Sequence, residues 1–287
     1  MTSLEESYRY CRTIARSRAR NFYYSFLLLS PEQKNAMCAI YAFMRYCDDL
    51  SDEPGAAAAP IERWRADLTE ALAGKPDPRS SLWPGFLDAV ERYRIPHEYF
   101  YQMIEGVLSD LQPRTIRTFD ELYNYCYQVA SVVGLTIIHI FGFESKDALP
   151  LAEKCGIAFQ LTNILRDVRE DTERGRVYIP GEDMERFGVT REDLLTGRRT
   201  SAFGRMMEFE GDRARKYYDE SRPLIAMVHA GSRSSLWALI TIYSQLLERI
   251  RKSNYDVLEK RIRLSALEKS FIVLRAMVGR TGTENRA

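Results

Sequence analysis

Residues 160–171 have the sequence QLTNILRDVRED, which predicts a helix that carries two aspartates, Asp167 and Asp171, four residues apart. On an α-helix this spacing stacks both carboxylates on one face, where they repel each other unless a cation lies between them. Asn163 lies one turn earlier and adds an amide oxygen to the same row. Such oxygen ligands suit Mg²⁺, which keeps several of its own waters. The stretch therefore predicts a divalent metal site on a helix.

One such pair is weak evidence, because a charged helix end is more often a solvated face with local ion pairs. A second pair, Asp48 and Asp52, is also spaced by four residues and follows the apolar, aromatic run 36–46. Carboxylates at the end of a buried helix require a compensating partner. The two pairs are therefore predicted to face each other across a helical cavity, where divalent cations would bind a diphosphate.

The composition is that of an ordinary globular chain with a sizeable core. The 287 residues are 45% hydrophobic and 28% charged, and the net charge is +1. A charge so close to neutral provides no basic field, so nucleic acid is not expected as a partner. The five cysteines are odd in number and form no C-x-x-C pair. This pattern is typical of reduced thiols in a cytosolic protein.

Helix signals recur along the chain, whereas no strand ladder, internal repeat or domain linker is visible. Ser30 before Pro31 predicts a helix start, with the helix running to about Asp52. A cap at Thr118 predicts another helix, which continues to about Ile140. The sequence thus predicts an all-α single domain over 1–287 with helices around a central cavity, an N-terminal helix over 1–17 and a frayed tail over 279–287.

Several common catalytic motifs are missing from the sequence. It contains no G-x-G-x-x-G, no G-x-x-x-x-G-K-[ST] and no H-E-x-x-H. The three histidines, His97, His139 and His229, have no second metal ligand at a useful spacing. Carboxylates with Mg²⁺, together with arginines and tyrosines, therefore remain as the groups for catalysis.

Three segments resemble the squalene/phytoene synthase family of head-to-head prenyl synthases. They are YAFMRYCDDLSDE at 41–53, YCYQVASVVG at 125–134, and residues 160–180. The likeness extends from Arg18 to about Arg251. It implies the all-helical isoprenoid synthase fold and Mg²⁺-dependent chemistry on two isoprenoid diphosphates, with Mn²⁺ as an alternative metal.

The resemblance also implies roles for individual residues. The implied metal ligands are Asp48, Asp52, Asn163, Asp167 and Asp171, and the implied catalytic residues are the same four aspartates with Tyr125. The implied substrate-binding residues are Arg18, Asn21, Tyr41, Arg45, Gln160, Arg166 and Tyr243. Many family members have serine where this chain has Asn21.

The activity implied by the resemblance is a prenyl transfer that joins C1 to C1′ through a cyclopropylcarbinyl diphosphate intermediate. The blocks 125–134 and 175–180 favour a phytoene synthase that uses geranylgeranyl diphosphate in carotenoid biosynthesis. The alternative within the family is a squalene or presqualene diphosphate synthase that uses farnesyl diphosphate, with NADPH required only by the squalene type. Side chains that could limit chain length are Phe22, Phe26, Leu135 and Phe159.

Two other classes of protein remain open. A terpene cyclase or head-to-tail elongase shares the fold and the metal chemistry, although its second motif is spaced differently. A non-catalytic helical assembly protein of the same fold would have no need for four clustered acids. The apolar run 129–143 is too short to span a bilayer and is predicted to be a buried core helix. A cytoplasmic location is therefore expected, with binding at a membrane surface and the oligomeric state left open.

Overall fold

The computed structural model describes residues 2–19, 22–52, 56–111 and 115–279, except for the side chain of Asp52. Over these ranges the chain is helical, and β-pairing is confined to two isolated bridges. The helices are α1 (Leu4–Arg18), α2 (Phe22–Phe26), α3 (Pro31–Asp52), α4 (Ala58–Leu72), α5 (Trp83–Arg92), α6 (Glu98–Ser109), α7 (Phe119–Cys126), α8 (Val132–Phe141), α9 (Ala148–Glu173), α10 (Gly181–Phe187), α11 (Arg191–Leu195), α12 (Ser201–Ser221), α13 (Leu224–Met227), α14 (Ala230–Lys252) and α15 (Ala266–Gly279).

The helix starts follow the capping signals in the sequence. Ser3 forms a capping box at the start of α1. The Ser30 hydroxyl accepts a hydrogen bond from the Gln33 backbone N–H at 3.2 Å, and α3 begins at Pro31 as predicted. The Thr118 hydroxyl accepts from the backbone N–H of Glu121 at 3.3 Å. In each case a side-chain oxygen satisfies an amide that the first helical turn leaves unpaired.

The helix predicted over 118–140 is not continuous. A π-helical turn at Tyr127–Ser131 separates α7 from α8. Gly156 of α9 packs directly against this turn, and a Cβ atom at Gly156 would lie 2.5 Å from Cα of Ser131 and 2.8 Å from the carbonyl oxygen of Ala130. The absence of a side chain at Gly156 therefore allows the two backbones to touch where the turn widens.

Gly156→Ala is expected to lower the free energy of unfolding by about 1–3 kcal/mol, because the new methyl group overlaps backbone atoms that cannot rotate away. Gly204→Ala is the matched control, since Gly204 is also helical and a Cβ there meets nothing within 4 Å. The control should gain about 0.5–1 kcal/mol from the higher helix propensity of alanine. Urea unfolding curves measure both changes, and equal effects at the two sites would contradict the close contact.

The core helices surround an elongated cavity of about 310 Å³. On α9 the lining runs from Asn163 to Ala152, and on α3 it runs from Ser51 to Met37. These stretches correspond to about 16 Å and about 21 Å of helix rise. The cavity is therefore a tunnel that lies parallel to these two helices, with an acidic residue at one end and apolar residues at the other.

One apolar helical stretch of 23 residues, Phe119–Phe141, has the length and composition of a membrane span. Of its most apolar window, 56% is buried inside the protein. Ile138, Ile140 and Phe141 are each at most 1% exposed. The segment is therefore accounted for as a helix of the core, which agrees with the prediction for 129–143.

Candidate active site

The polar end of the tunnel is formed by side chains from three helices and by the residue that follows a fourth. Asp48 and Arg45 come from α3, Tyr125 from α7, and Gln160 and Asn163 from α9. Asp110, which caps the C-terminus of α6, lies beside them. The remaining wall is almost entirely apolar and includes Phe22, Phe26, Met37, Ile40, Met103, Val107, Val133, Ile137, Ile138, Ala152, Phe159, Leu224, Leu236, Leu239 and Tyr243.

A second, polar cavity of about 440 Å³ adjoins this end of the tunnel. The two cavities have Arg45, Asp110, Tyr125, Gln160 and Asn163 in common. The polar cavity is lined in addition by Arg18, Ile164, Asp167, Glu170, Asp171, Arg174, Arg176, Tyr178 and Arg261. A charged mouth thus opens onto an apolar tunnel, and the shared residues form the boundary between them.

The structure brings most of the predicted site residues to this boundary. Asp48 faces it from the tunnel, and Asp167 and Asp171 face it from the charged mouth. Arg166 lines neither cavity and instead lines a neighbouring pocket. Asn21 and the side chain of Asp52 lie outside the described residues. The other predicted residues that line the mouth or the tunnel are Arg18, Tyr41, Arg45, Tyr125, Gln160, Asn163 and Tyr243.

Asp167 is held by two arginines in the structure. Nε of Arg166 donates to its Oδ1 at 2.8 Å, and Nη2 of Arg261 donates to its Oδ2 at 3.1 Å. Arg261 also donates to Glu170 at 3.0 Å. Arg261 thereby fixes the acidic row of α9 from a loop that is distant in sequence, and the sequence analysis missed it.

Asp171 is partly buried and has other carboxylates nearby. Burial raises the pKa of its carboxyl to about 7, and the nearby carboxylates of Asp167 and Asp110 add to the increase. Arg176 and Arg174 act in the opposite direction but do not compensate. The ionised form of Asp171 is therefore poorly stabilised by the protein alone, and a bound cation would stabilise it.

Asn163 provides a second observation that favours a cation. Its amide nitrogen donates to Oε1 of Gln160 at 3.3 Å, whereas its oxygen, Oδ1, is buried and has no hydrogen-bond partner. A buried acceptor without a partner is costly, and such atoms are often found where a ligand binds. Oδ1 is therefore available as a neutral oxygen ligand beside the aspartates.

These residues fit a hard cation that is bound partly through water. Among the residues that the structure describes, no three Asp, Glu, His or Cys side chains lie close enough together to hold a metal ion. Mg²⁺ needs only one or two protein carboxylates when the rest of its shell is water and substrate phosphate. The donor set of Asp48, Asp167, Asp171 and Asn163 therefore suits a metal that shares its coordination with a diphosphate.

Asp171→Asn is expected to stabilise the metal-free protein above pH 7. The carboxyl has an ordinary pKa near 3.8 and a raised pKa of about 7 in the fold, so between these values the folded state holds a proton that the unfolded state has lost. Stability therefore decreases as the pH rises through this window, by about 1.4 kcal/mol for each unit of pKa difference. Urea unfolding in EDTA at pH 5 and pH 8 should show a smaller decrease in the variant, and equal decreases would contradict the raised pKa.

Asp110 and Tyr178 belong to the site but were also missed by the sequence analysis. The hydroxyl of Tyr125 donates to Oδ2 of Asp110 at 3.0 Å, and the hydroxyl of Tyr178 donates to Oδ1 at 2.7 Å. The two tyrosine rings stack with centroids 4.7 Å apart. Tyr178 falls inside the resemblance block at 160–180, whereas Asp110 has no acidic partner at helical spacing that could have indicated it.

Both tyrosines stay protonated at neutral pH. Burial, and then the charge of Asp110, raise the pKa of Tyr125 and that of Tyr178 well above their ordinary value. A phenol that holds its proton so firmly can donate a hydrogen bond but does not act as a general base. The pair therefore fixes Asp110 and forms a flat aromatic wall at the boundary of the two cavities.

Comparison with known proteins identifies the family. A family model described as squalene/phytoene synthase matches residues 15–268. The chain belongs to this family. Squalene/phytoene synthases are prenyltransferases, so the predicted family, enzyme class and all-α isoprenoid synthase fold are confirmed. Members of the family depend in general on a divalent metal.

Relatives with assigned names are similar over nearly the whole chain. The chloroplastic phytoene synthase 1 of Arabidopsis thaliana is 35% identical over 278 residues, which cover 94% of this chain and 65% of the relative. The 15-cis-phytoene synthase of Synechococcus elongatus is 36% identical and covers 91% of this chain and 89% of the relative. The chain thus spans somewhat under two thirds of the Arabidopsis protein but most of the cyanobacterial one.

Solved structures agree with the observed fold. A dehydrosqualene synthase in complex with a ligand superposes with a TM-score of 0.89 at 28% identity, covering 97% of this chain and 98% of that one. The squalene synthase HpnC from Alicyclobacillus acidocaldarius gives a TM-score of 0.82 at 28% identity, with 88% and 95% covered. The arrangement of helices around a tunnel is therefore that of the squalene/phytoene synthases.

Proposed function

We propose that this chain is a phytoene synthase, which condenses two molecules of geranylgeranyl diphosphate head to head through a cyclopropylcarbinyl diphosphate. The observation that carries the proposal is the charged mouth with Asp167 and Asp171, which opens directly onto a long apolar tunnel with Asp48 at its polar end. Relatives named phytoene synthases at 35% and 36% identity support the choice of substrate.

The charged mouth is the proposed binding site of the diphosphates. Arg18, Arg45, Arg174 and Arg176 line the mouth, and guanidinium groups pair well with phosphate oxygens. Asp48, Asp167, Asp171 and Asn163 would hold Mg²⁺ there, with Asp52 as a further ligand implied by the family resemblance. The bound metal would neutralise the diphosphate charge that builds up when the group leaves.

The tunnel is proposed to hold the prenyl chains and to exclude water. Departure of the first diphosphate leaves an allylic cation, and the C2–C3 double bond of the second substrate attacks it. Loss of one proton then closes the cyclopropane ring. A second departure of diphosphate opens the ring, and loss of a second proton gives the linear hydrocarbon. Water would trap either cation as an alcohol, so the apolar lining protects the reaction.

Aromatic rings line the tunnel in which such a cation is proposed to form. Tyr243 stacks on Phe159 with centroids 4.3 Å apart and packs against Phe22 at 5.5 Å. All three line the tunnel close to Gln160. The face of an aromatic ring attracts positive charge, and it does so more strongly in a site without water. We infer that this cluster stabilises the carbocations, while Tyr125 and Tyr178 hold Asp110 in place.

The product of the purified enzyme tests the proposal. The protein is supplied with either fifteen-carbon or twenty-carbon diphosphate in the presence of Mg²⁺, with and without NADPH, and the mass of the product is determined. We expect a forty-carbon hydrocarbon from the twenty-carbon substrate without NADPH. The proposal would be contradicted by a thirty-carbon hydrocarbon made only with NADPH, or by a reaction that stops at the cyclopropyl diphosphate. A cyclic or head-to-tail product would contradict it as well.

A further inference from the structure

Helix α15 presents an apolar face to solvent. Leu267 is 83% exposed and Phe271 is 66% exposed, and they continue through Leu274 and Val278 along one side of the helix. We call these four residues the α15 stripe. The opposite side is also apolar and is buried, through Ile272, Val273 and Ala276. A surface helix normally turns a polar face to water, so an exposed apolar stripe indicates a binding surface.

A strongly basic pocket lies beside the start of α15. Its volume is about 660 Å³, and its charged lining residues are all cationic, namely Arg16, Arg166, Arg261, Arg263 and Lys269. Tyr23, Tyr24 and Leu27 complete its outer wall, and Leu27 is itself 48% exposed. We call this the basic pocket. A cavity whose charged groups all carry the same sign attracts an anion.

The cations of the basic pocket divide into an inner and an outer group. Arg166 and Arg261 form the inner group, because both are bound to Asp167. Arg16 and Arg263 form the outer group and make no ion pair with any described carboxylate. Lys269 stands with the outer group, and its Nζ lies 5.1 Å from the ring centroid of Tyr24. Arg16 and Arg263 are thus available to a ligand that approaches from the side of α15.

No acidic side chain of α15 opposes such an anion. Glu268 is the one acidic residue of the helix, and it is bound by Nη1 of Arg249 at 2.9 Å and by the backbone N–H of Ser265 at 2.8 Å. Arg275 adds a further exposed cation next to the stripe. The whole surface therefore combines exposed apolar side chains with a rim of positive charge.

We propose that the α15 stripe and the basic pocket together dock this enzyme on a bilayer that contains anionic phospholipids. The stripe would enter the acyl region, and the outer cations would bind the headgroup phosphate. Apolar side chains flanked by cations are the usual composition of a helix that lies in a membrane interface. Pairing with a second copy is disfavoured, because a two-fold contact through this surface would bring the outer cations of both copies together.

The exposed apolar and cationic residues indicate a membrane-docking surface without reference to the product of the enzyme. The proposed function adds a reason for such docking. A long hydrocarbon product is insoluble in water and would partition into lipid. Docking next to the charged mouth would place the tunnel near the membrane that receives the product.

Vesicle binding of the full chain tests the docking surface. We expect the protein to sediment with phosphatidylglycerol-containing vesicles, at least about tenfold more tightly than with pure phosphatidylcholine, and to be released by salt. Phe271→Ser/Leu274→Ser should lower the binding to both kinds of vesicle by about tenfold or more. Arg263→Gln/Lys269→Gln should remove the preference for the anionic lipid.

Two matched controls and one activity assay make the result decisive. Leu195→Ser on α11 removes an apolar side chain that is 52% exposed, and Arg205→Gln on α12 removes an exposed charge. Both should bind vesicles like the wild type. Turnover of substrate in detergent micelles should persist in Phe271→Ser/Leu274→Ser, so failure of docking is distinguished from failure of the proposed function. The proposal would be overturned if the wild type bound both kinds of vesicle equally well, or if either double variant bound vesicles like the wild type. It would also be overturned if the substitutions in the α15 stripe only converted a dimer to a monomer.

Discussion

Asp167→Asn should reduce the rate of condensation about a thousandfold, because it removes a carboxylate from the site proposed for the metal-bound diphosphate. Stabilisation of a leaving group by a metal contributes several kcal/mol, and each 1.4 kcal/mol corresponds to a factor of ten in rate. Asp48→Asn, on the opposite helix, should cause a similar loss. The double variant should be little worse than either single one, since groups that act as a unit are not additive. Initial rates with the twenty-carbon diphosphate and Mg²⁺ measure all three.

A surface aspartate controls for the change in charge. The side chain of Asp219 on α12 is 61% exposed and pairs with Arg222, so Asp219→Asn should keep full activity. Circular dichroism and thermal unfolding verify that the variants fold, which matters because Asp167 also binds two arginines. If substrate turnover persisted in either Asp48→Asn or Asp167→Asn, the proposed metal site would be wrong.

Ala152→Leu should shift the preference of the enzyme from the twenty-carbon to the fifteen-carbon substrate by about tenfold or more. Ala152 lies at the end of the tunnel remote from the charged mouth, three turns along α9 from Asn163. A leucine there fills space that only the longer chain needs, and a steric overlap of one or two methyl groups costs about 1–3 kcal/mol in a packed site. The ratio of kcat/KM for the two diphosphates, measured on one preparation, reports the shift.

Ala148→Leu separates this effect from general damage to the core. Ala148 is fully buried one turn before Ala152 on the same helix, but it does not line the tunnel. The control should lose stability, and any loss of activity should affect both substrates equally. The kcat/KM ratio for the two substrates could instead shift in Ala148→Leu or stay unchanged in Ala152→Leu. Either result would show that this end of the tunnel does not determine the chain length of the substrate.

Features that depend on local spacing could be predicted from the sequence. Asp167, Asp171 and Asn163 share one face of α9 because their separation matches the helical period, and the cap at Ser30 sets the start of α3. That Asp48 and this row line adjoining cavities could be predicted only as a hypothesis, since it depends on how two distant helices pack. The family resemblance then selected the tyrosines and arginines that line the tunnel and the mouth.

Features that depend on tertiary contacts could not be predicted. Arg261 reaches Asp167 from 94 residues away, and Tyr178 reaches Asp110 from 68 residues away. The π-helical turn at Tyr127–Ser131 could not be predicted from its own residues. It lies where Gly156 of another helix comes close, which is a tertiary contact. Among the residues considered for chain length, Phe22, Phe26 and Phe159 line the tunnel, whereas Leu135 is buried in the core beside it.

Binding of inorganic diphosphate, followed by titration calorimetry, tests most directly whether acids from two helices bind a metal-bound diphosphate at the mouth of the tunnel. With Mg²⁺ present the wild type should bind diphosphate at least about a hundredfold more tightly than in EDTA, a difference of about 2.7 kcal/mol. Asp48→Asn and Asp167→Asn should each remove that difference. Equal affinity with and without Mg²⁺, or a full Mg²⁺ effect in both variants, would contradict the account.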